Sequence, residues 1–134
     1  MDVGKKDGIQ VGAVVIAQGF LVGKIKSTTE HTSRIILITD PESATPAMIA
    51  VKNITGIVKG KIGGGLTLDQ VPQNDKVNVG DLIATSGLGG EVPKGILMGK
   101  AEVIQQISGS IFQAIEVQPM VDLNKLERVM IIKG

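Results

Sequence analysis

The chain has 134 residues, 14 basic and 13 acidic side chains, one histidine, no cysteine, tryptophan or tyrosine, and 43% hydrophobic residues. That length suits one ordinary domain or two very small ones. Balanced charge with two phenylalanines as the only aromatics argues against nucleic acid, which calls for a basic stripe and stacking platforms; the lack of cysteine excludes disulfides and thiolate metal sites, and no run approaches the ~20 apolar residues that span a bilayer.

Taken in chain order, strands are predicted at 13–17, 20–27, 33–38, 46–52, 54–59 and 66–70, and then at 82–85, 96–106, 111–117 and 128–132. The reason is side-chain type. Ile and Val number 33 against 9 Leu, and β-branched residues are stiff at χ1 and pack well on a pleated surface. Glycine, proline, asparagine and aspartate separate these runs, giving the short, evenly spaced pattern of a barrel or sandwich. Only Asp122–Glu127 reads as helical, with Asp122 placed to cap its first turn.

The same order contains an internal repeat. "DGIQVGAVVI" at 7–16 resembles "DKVNVGDLIA" at 75–84, "GFLVGKI" at 19–25 resembles "GILMGKA" at 95–101, and "SRIILITDP" resembles "SIFQAIEVQP". Three matches in one order imply two related β-units. The second copy carries an insertion between its first two strands, "GLGGEVPK". Units of this size are marginal alone, so they are expected to pack together or against a partner. The expected division is a first β-barrel over 1–70 and a second over 71–134, with the glycine-rich 60–65 and polar 71–81 stretches at the junction and terminal strands free to cross over.

Candidate chemistry starts at Ser86. His31, Asp40 and Ser86 follow the chain order of chymotrypsin-like proteases, and glycines follow the serine. Yet "ATSGLGG" lacks the Gly-x-Ser-x-Gly elbow, Thr85 stands where such a loop has aspartate, and His31 lies in the polar stretch "TTEHTSR" with nothing to orient it. A serine hydrolase using Ser86 and His31 is therefore the lesser reading. "GKIGGG" leads into a strand, unlike a phosphate-binding P-loop, and reads as a hairpin turn. One histidine without cysteine makes no transition-metal site, so no metal and no cofactor are expected. "NIT" at 53–55 matches a glycosylation sequon of low specificity. A small-molecule carrier barrel is disfavoured, because Ile and Val fill a barrel of this size. A non-enzymatic binding or scaffolding module is what these exclusions leave.

The segment "VGDLIATSGLGGEVPKGILMGK" closely resembles the signature region of the MreC family of bacterial rod-shape-determining proteins. "VGKKDGIQVGAVV", "GFLVGKI", "TSRIILITDPESATPA", "GIVKGK", "LTLDQVP" and "IFQAIEVQPMVDLNKLERVMII" fit the rest of the family pattern in order. Lys94 in "VPKG" and Gln118 in "EVQP" depart from it without touching any chemistry. The resemblance implies a pair of small six-stranded-type β-barrels with chymotrypsin-like double-barrel topology and no catalytic residues. It implies a scaffold of the cell-elongation complex, outside the cytoplasmic membrane, that binds the elongation-specific penicillin-binding protein and MreD. Family members reach MreB, and the membrane, through an N-terminal helix, and they self-associate as homo-oligomers. The chain starts almost at its first strand, so the expectation is an excised extracytoplasmic domain. Ser86, Gly87, Leu88, Gly89 and Gly90 are the candidate contact residues, toward a partner or between the barrels: Leu88 is apolar, and the glycines around it allow close backbone approach.

Overall fold

The computed structural model describes residues 4, 8, 10–62, 64–90, 92–120 and 130–132. Ten strands appear, all where β-branched runs predict them: β1 (Val14–Ala17), β2 (Phe20–Thr28), β3 (Ser33–Leu37), β4 (Ala44–Ile49), β5 (Ile54–Gly60), β6 (Leu66–Pro72), β7 (Leu82–Thr85), β8 (Leu97–Gln106), β9 (Phe112–Pro119) and β10 (Met130–Ile132). The all-β class is as expected. The helix expected over Asp122–Glu127 lies outside the described residues.

Six strands close a barrel in the order β7-β4-β5-β6-β9-β8, with β8 returning to β7. Period-two alternation explains its interior. Thr45, Ala47 and Ile49 of β4, Leu66 and Leu68 of β6, and Gln113, Ile115 and Val117 of β9 all point inward and are buried. The pattern would slip by one residue in β6, but Gln70 takes a left-handed φ of 63° there, and the β6–β9 register shifts so that Val71 also points inward. Gln113 is the one buried side-chain amide among the described residues. Its Nε2 donates to Pro72 O at 2.9 Å and Asp75 O at 2.7 Å, so the buried polar group is satisfied and the barrel end is tied shut. The barrel is filled by side chains, as small barrels are, with Val58, Leu68, Ile83, Met98 and Ile115 essentially inaccessible.

The other four strands form a sheet in the order β10-β1-β2-β3, joined to the barrel by a parallel pairing of β2 with β8 at Phe20 and Leu97. Val15, Ala17, Val22 and Ile25 make an apolar cluster of their own on one side of it. Val14, Leu21 and Ile38 belong instead to the barrel's cluster. The boundary expected at residues 70 and 71 falls inside β6, and strands from both sides of it close the one barrel. The reason is long-range pairing: β6 finds its partner in β9, and β1 finds one in β10. The chain therefore divides as β4 to β9 in the barrel, set between β3 and β10 of the sheet.

The internal repeat is visible bond for bond. Val14 pairs with Lys24 and Val15 with Gly23, and a bulge follows before Ile16 meets Leu21. Leu82 pairs with Lys100 and Ile83 with Gly99, and a bulge follows before Ala84 meets Leu97. Gly12 and Gly80 have φ of 90° and 94°, and each donates its N–H at 2.8 Å, to Ile25 O and Ala101 O respectively. The repeat also extends to strands distant in sequence. β10 lies on β1 as β4 lies on β7, placing Ile131 opposite Val15 and Ile49 opposite Ile83. The arrangement β10-β1-β2-β3 thus matches β4-β7-β8-β9, and the hairpin β5–β6 is what closes the second unit into a barrel.

Candidate functional site

The first of the candidate residues sits at the root of the loop 86–96, which joins β7 to β8. Thr85 holds that loop. It is buried, its Oγ1 donates to Pro93 O at 2.5 Å and accepts from Ile96 N at 2.9 Å, and its backbone exchanges bonds with Ile96 O and Gly95 N at 2.9 Å. One hydroxyl thereby ties the start of the insertion to two backbone groups near its end. Val92 is a second anchor, buried in the barrel's apolar cluster. Gly87 packs so close to Lys94 that a Cβ there would press on the Lys94 Cβ at 2.9 Å.

Ser86 begins the loop with a local turn. Its N–H donates to Pro46 O at 3.1 Å, and its Oγ accepts the Leu88 N–H at 3.3 Å. Leu88, Gly89 and Gly90 are exposed. Gly90 and Pro93 also form one wall of a groove of about 630 Å³ whose other walls include Val11, Val14, Lys24 and Ile36 of the four-stranded unit. The insertion therefore has two aspects: Gly90 and Pro93 toward the first unit, Leu88 toward solvent.

His31 lies exposed in the turn between β2 and β3. Asp40 Oδ1 accepts the Glu42 N–H at 2.9 Å in a turn of its own. Among the described residues no hydrogen bond or ion pair joins His31, Asp40 and Ser86, so the hydroxyl and the carboxylate are both spent on local turn geometry. The stretch "GKIGGG" is the β5–β6 turn, where Gly64 N–H donates to Lys61 O at 2.9 Å, and Lys61 Nζ pairs with Glu116 Oε1 at 3.1 Å.

Sequence reasoning missed Thr85 and Val92 as the loop's anchors. The repeat held the signal: Thr85 aligns with Ala17, a polar residue closing an apolar strand only where the insertion follows. It also missed the pair Lys52 Nζ–Asp81 Oδ2 at 2.7 Å, which ties the β4–β5 turn to the entry of β7. Partial burial pushes the Asp81 carboxyl up. The hydrogen bonds from Lys52 and from the Asn78 N–H, with the lysine charge, more than reverse that and leave it below its ordinary range.

A closed, filled barrel with an appended sheet and a stapled surface loop defines an all-β module. The whole-chain comparison names its class. The family model for the rod shape-determining protein MreC, barrel core, matches residues 1–133, and the chain belongs to that family. The cell shape-determining protein MreC of Haemophilus influenzae is 33% identical over 130 residues, 96% of this chain and 37% of that protein, so the chain spans well under half the length of such relatives. The crystal structure of MreC from Pseudomonas aeruginosa superposes with a TM-score of 0.90 at 26% identity, over 98% of this chain and 85% of that one. A major periplasmic domain from the cell shape-determining filament MreC matches with a TM-score of 0.75 at 25% identity, covering 97% of this chain and 82% of its own. The fold also recurs, at 18% identity and a TM-score of 0.75, over 88% of this chain and 74% of the matched chain, in a complex between penicillin-binding protein PBP2 and MreC from Helicobacter pylori.

Proposed function

We propose that this chain is a non-enzymatic, extracytoplasmic scaffold of the cell-elongation complex, which maintains rod shape by binding and organising peptidoglycan-synthesis proteins. The observation that carries the reading is the family match along nearly the entire chain. It is supported by the MreC partner in the Helicobacter complex with PBP2, and the location by the periplasmic domain that shares this fold. Binding, not bond-making, is the chemistry: the scaffold favours a synthesis-competent arrangement of its transpeptidase partner. The loop Ser86–Gly90 contributes in both directions, Gly90 against the first β-unit and Leu88 toward a partner. MreD, MreB and the membrane are contacts of the longer protein, and self-association belongs to the same proposal. In this reading the sheet β10-β1-β2-β3 is the smaller of two barrels in a chymotrypsin-like pair; its separate apolar cluster supports that assignment.

Immobilised folded chain should capture the periplasmic part of an elongation-specific penicillin-binding protein, and Leu88→Asp should weaken the capture. No binding of the unaltered chain at high micromolar concentration would overturn the scaffold reading for this chain.

A further inference from the structure

Neighbouring strands of the barrel are all antiparallel, so the connections β4–β5, β6–β7 and β8–β9 lie at one end and β5–β6 and β7–β8 at the other. At the first end every connection holds a large apolar side chain in solvent. Val51 is 101% exposed, Val79 70%, Ile107 52% and Ile111 76%. Val51 is the extreme case. It takes a left-handed φ of 69°, a strained conformation for a β-branched residue, and being fully exposed it recovers nothing by packing within the chain.

The three turns are laced together. Lys52 Nζ reaches from the β4–β5 turn to Asp81 Oδ2 at 2.7 Å and to Lys76 O at 3.4 Å. Gln73 Nε2 reaches from the β6–β7 connection to Ile107 O at 2.6 Å and Ser110 O at 2.5 Å, and the Gln73 N–H donates to Ile111 O at 3.0 Å. The rim is thus preorganised, and these carbonyls already have donors within the chain, which lowers the cost of taking the tips out of water. Charge is sparse here as well. In a chain with 20% charged residues, none occurs from Val103 to Ile115. Lys52 and Asp81 neutralise each other, and Asp75 and Lys76 are of opposite sign.

From this arrangement we infer that this end of the barrel is a lipid-contacting rim, whose Val51, Val79, Ile107 and Ile111 enter the headgroup boundary of a bilayer. Shape and charge select the occupant. The tips are convex and stand on separate turns, and the hollow beside the β8–β9 turn is lined mainly by amides and hydroxyls, among them Gln73, Asn74 and Ser108. That end therefore lacks the apolar groove that a peptide would fill. A bilayer is broad and soft, and it takes separated, uncharged apolar tips all at once. The inference goes beyond the proposed function, in which the membrane is a contact of the longer protein, and it does not depend on the penicillin-binding partner.

The chain has no tryptophan, so one introduced at the rim reports its own surroundings. With phosphatidylcholine vesicles, Ile111→Trp should show blue-shifted emission that lipids brominated on their acyl chains quench. Ile62→Trp, in the exposed β5–β6 turn at the opposite end, should show neither. Adding Ile107→Asp to the Ile111→Trp variant should lower vesicle partitioning by about tenfold, with an unchanged circular dichroism melt. Anionic phosphatidylglycerol or added salt should change little, because the tips carry no charge. No shift at saturating lipid, an equal shift in Ile62→Trp, or binding that needs anionic lipid and vanishes with salt overturns the assignment. So does an Ile107→Asp substitution that spares vesicle binding and abolishes capture of the penicillin-binding protein, since the rim would then belong to that partner. Failure of the unaltered chain to capture that protein, with the vesicle signals intact, strikes the scaffold reading and leaves the rim standing.

Discussion

The first unit turns from β1 to β2 through Gln18 and Gly19, both at positive φ, so that Ala17 pairs directly with Phe20. The second unit makes the same connection through residues 86–96. The first leaves β3 beside β2 alone among the described strands, while the second sends its counterpart β9 on to β6 and closes. Two copies of one hairpin thus reach different ends among the described strands, one a four-stranded sheet built onto its neighbour, the other a complete barrel with an elaborated loop. Closure and insertion are separable additions to a common frame, and each depends on a few residues that the sister unit lacks.

The sharpest way to break the comparison is in the two interiors. Ile83→Ala should cost about 3–4 kcal/mol, because a closed barrel cannot collapse around the missing atoms. The matching Val15→Ala should cost about 2 kcal/mol, because fewer atoms are removed from an equally buried site. Chemical denaturation of both variants reads the difference; equal losses would mean that the number of atoms removed does not set the cost.

A smaller effect should follow from the insertion. Thr85→Ala restores the residue type of the first unit, but leaves Pro93 O and Ile96 N without their side-chain partner. The expected loss is about 1–2 kcal/mol, with faster amide exchange confined to residues 86–96. Uniform exchange enhancement across the barrel would show that Thr85 holds the core and not the loop.

The smallest effect concerns Asp81, whose counterpart in the first unit is Ala13. Its carboxyl is lowered in the fold, so its contribution is fully present above the unfolded value near pH 4 and is lost as pH falls through the folded value. Asp81→Asn should lower stability by no more than about 1 kcal/mol at neutral pH, and the gap to the parent should narrow in acid. A gap independent of pH would remove the charge from the explanation.

Much of this contrast was legible in the residues. The β-branched run in "SRIILI" and the apolar–polar alternation that opens "LTLDQ" marked strands because such side chains suit a pleated, half-buried surface, and the equivalence of Gly23 and Gly99 could be read from "LVGKI" and "LMGKA" alone. The division of the chain could not. Whether Leu66 faces Val117 or a neighbour nearer in sequence depends on closure over a long loop, which local pattern does not encode. Exposure was hidden for the same reason: Val14 and Leu82 are alike as letters, and only the packing of one unit on the other separates them. Ser86 drew attention through its glycines, while the residue that organises its loop was the threonine before it.

The pairing of Val14 with Ile132 has a consequence for how the molecule comes into being. The barrel strands β4 to β9 are contiguous in the chain and can pair once they are all present. The sheet that flanks them needs residues from either side of that segment, and contacts so remote in sequence form slowly, because the loop they close contains all six barrel strands. The barrel should therefore be in place before β10 arrives, and the first unit is completed onto it last. Its order of assembly makes the outermost strand the natural point at which a nearly finished molecule remains open.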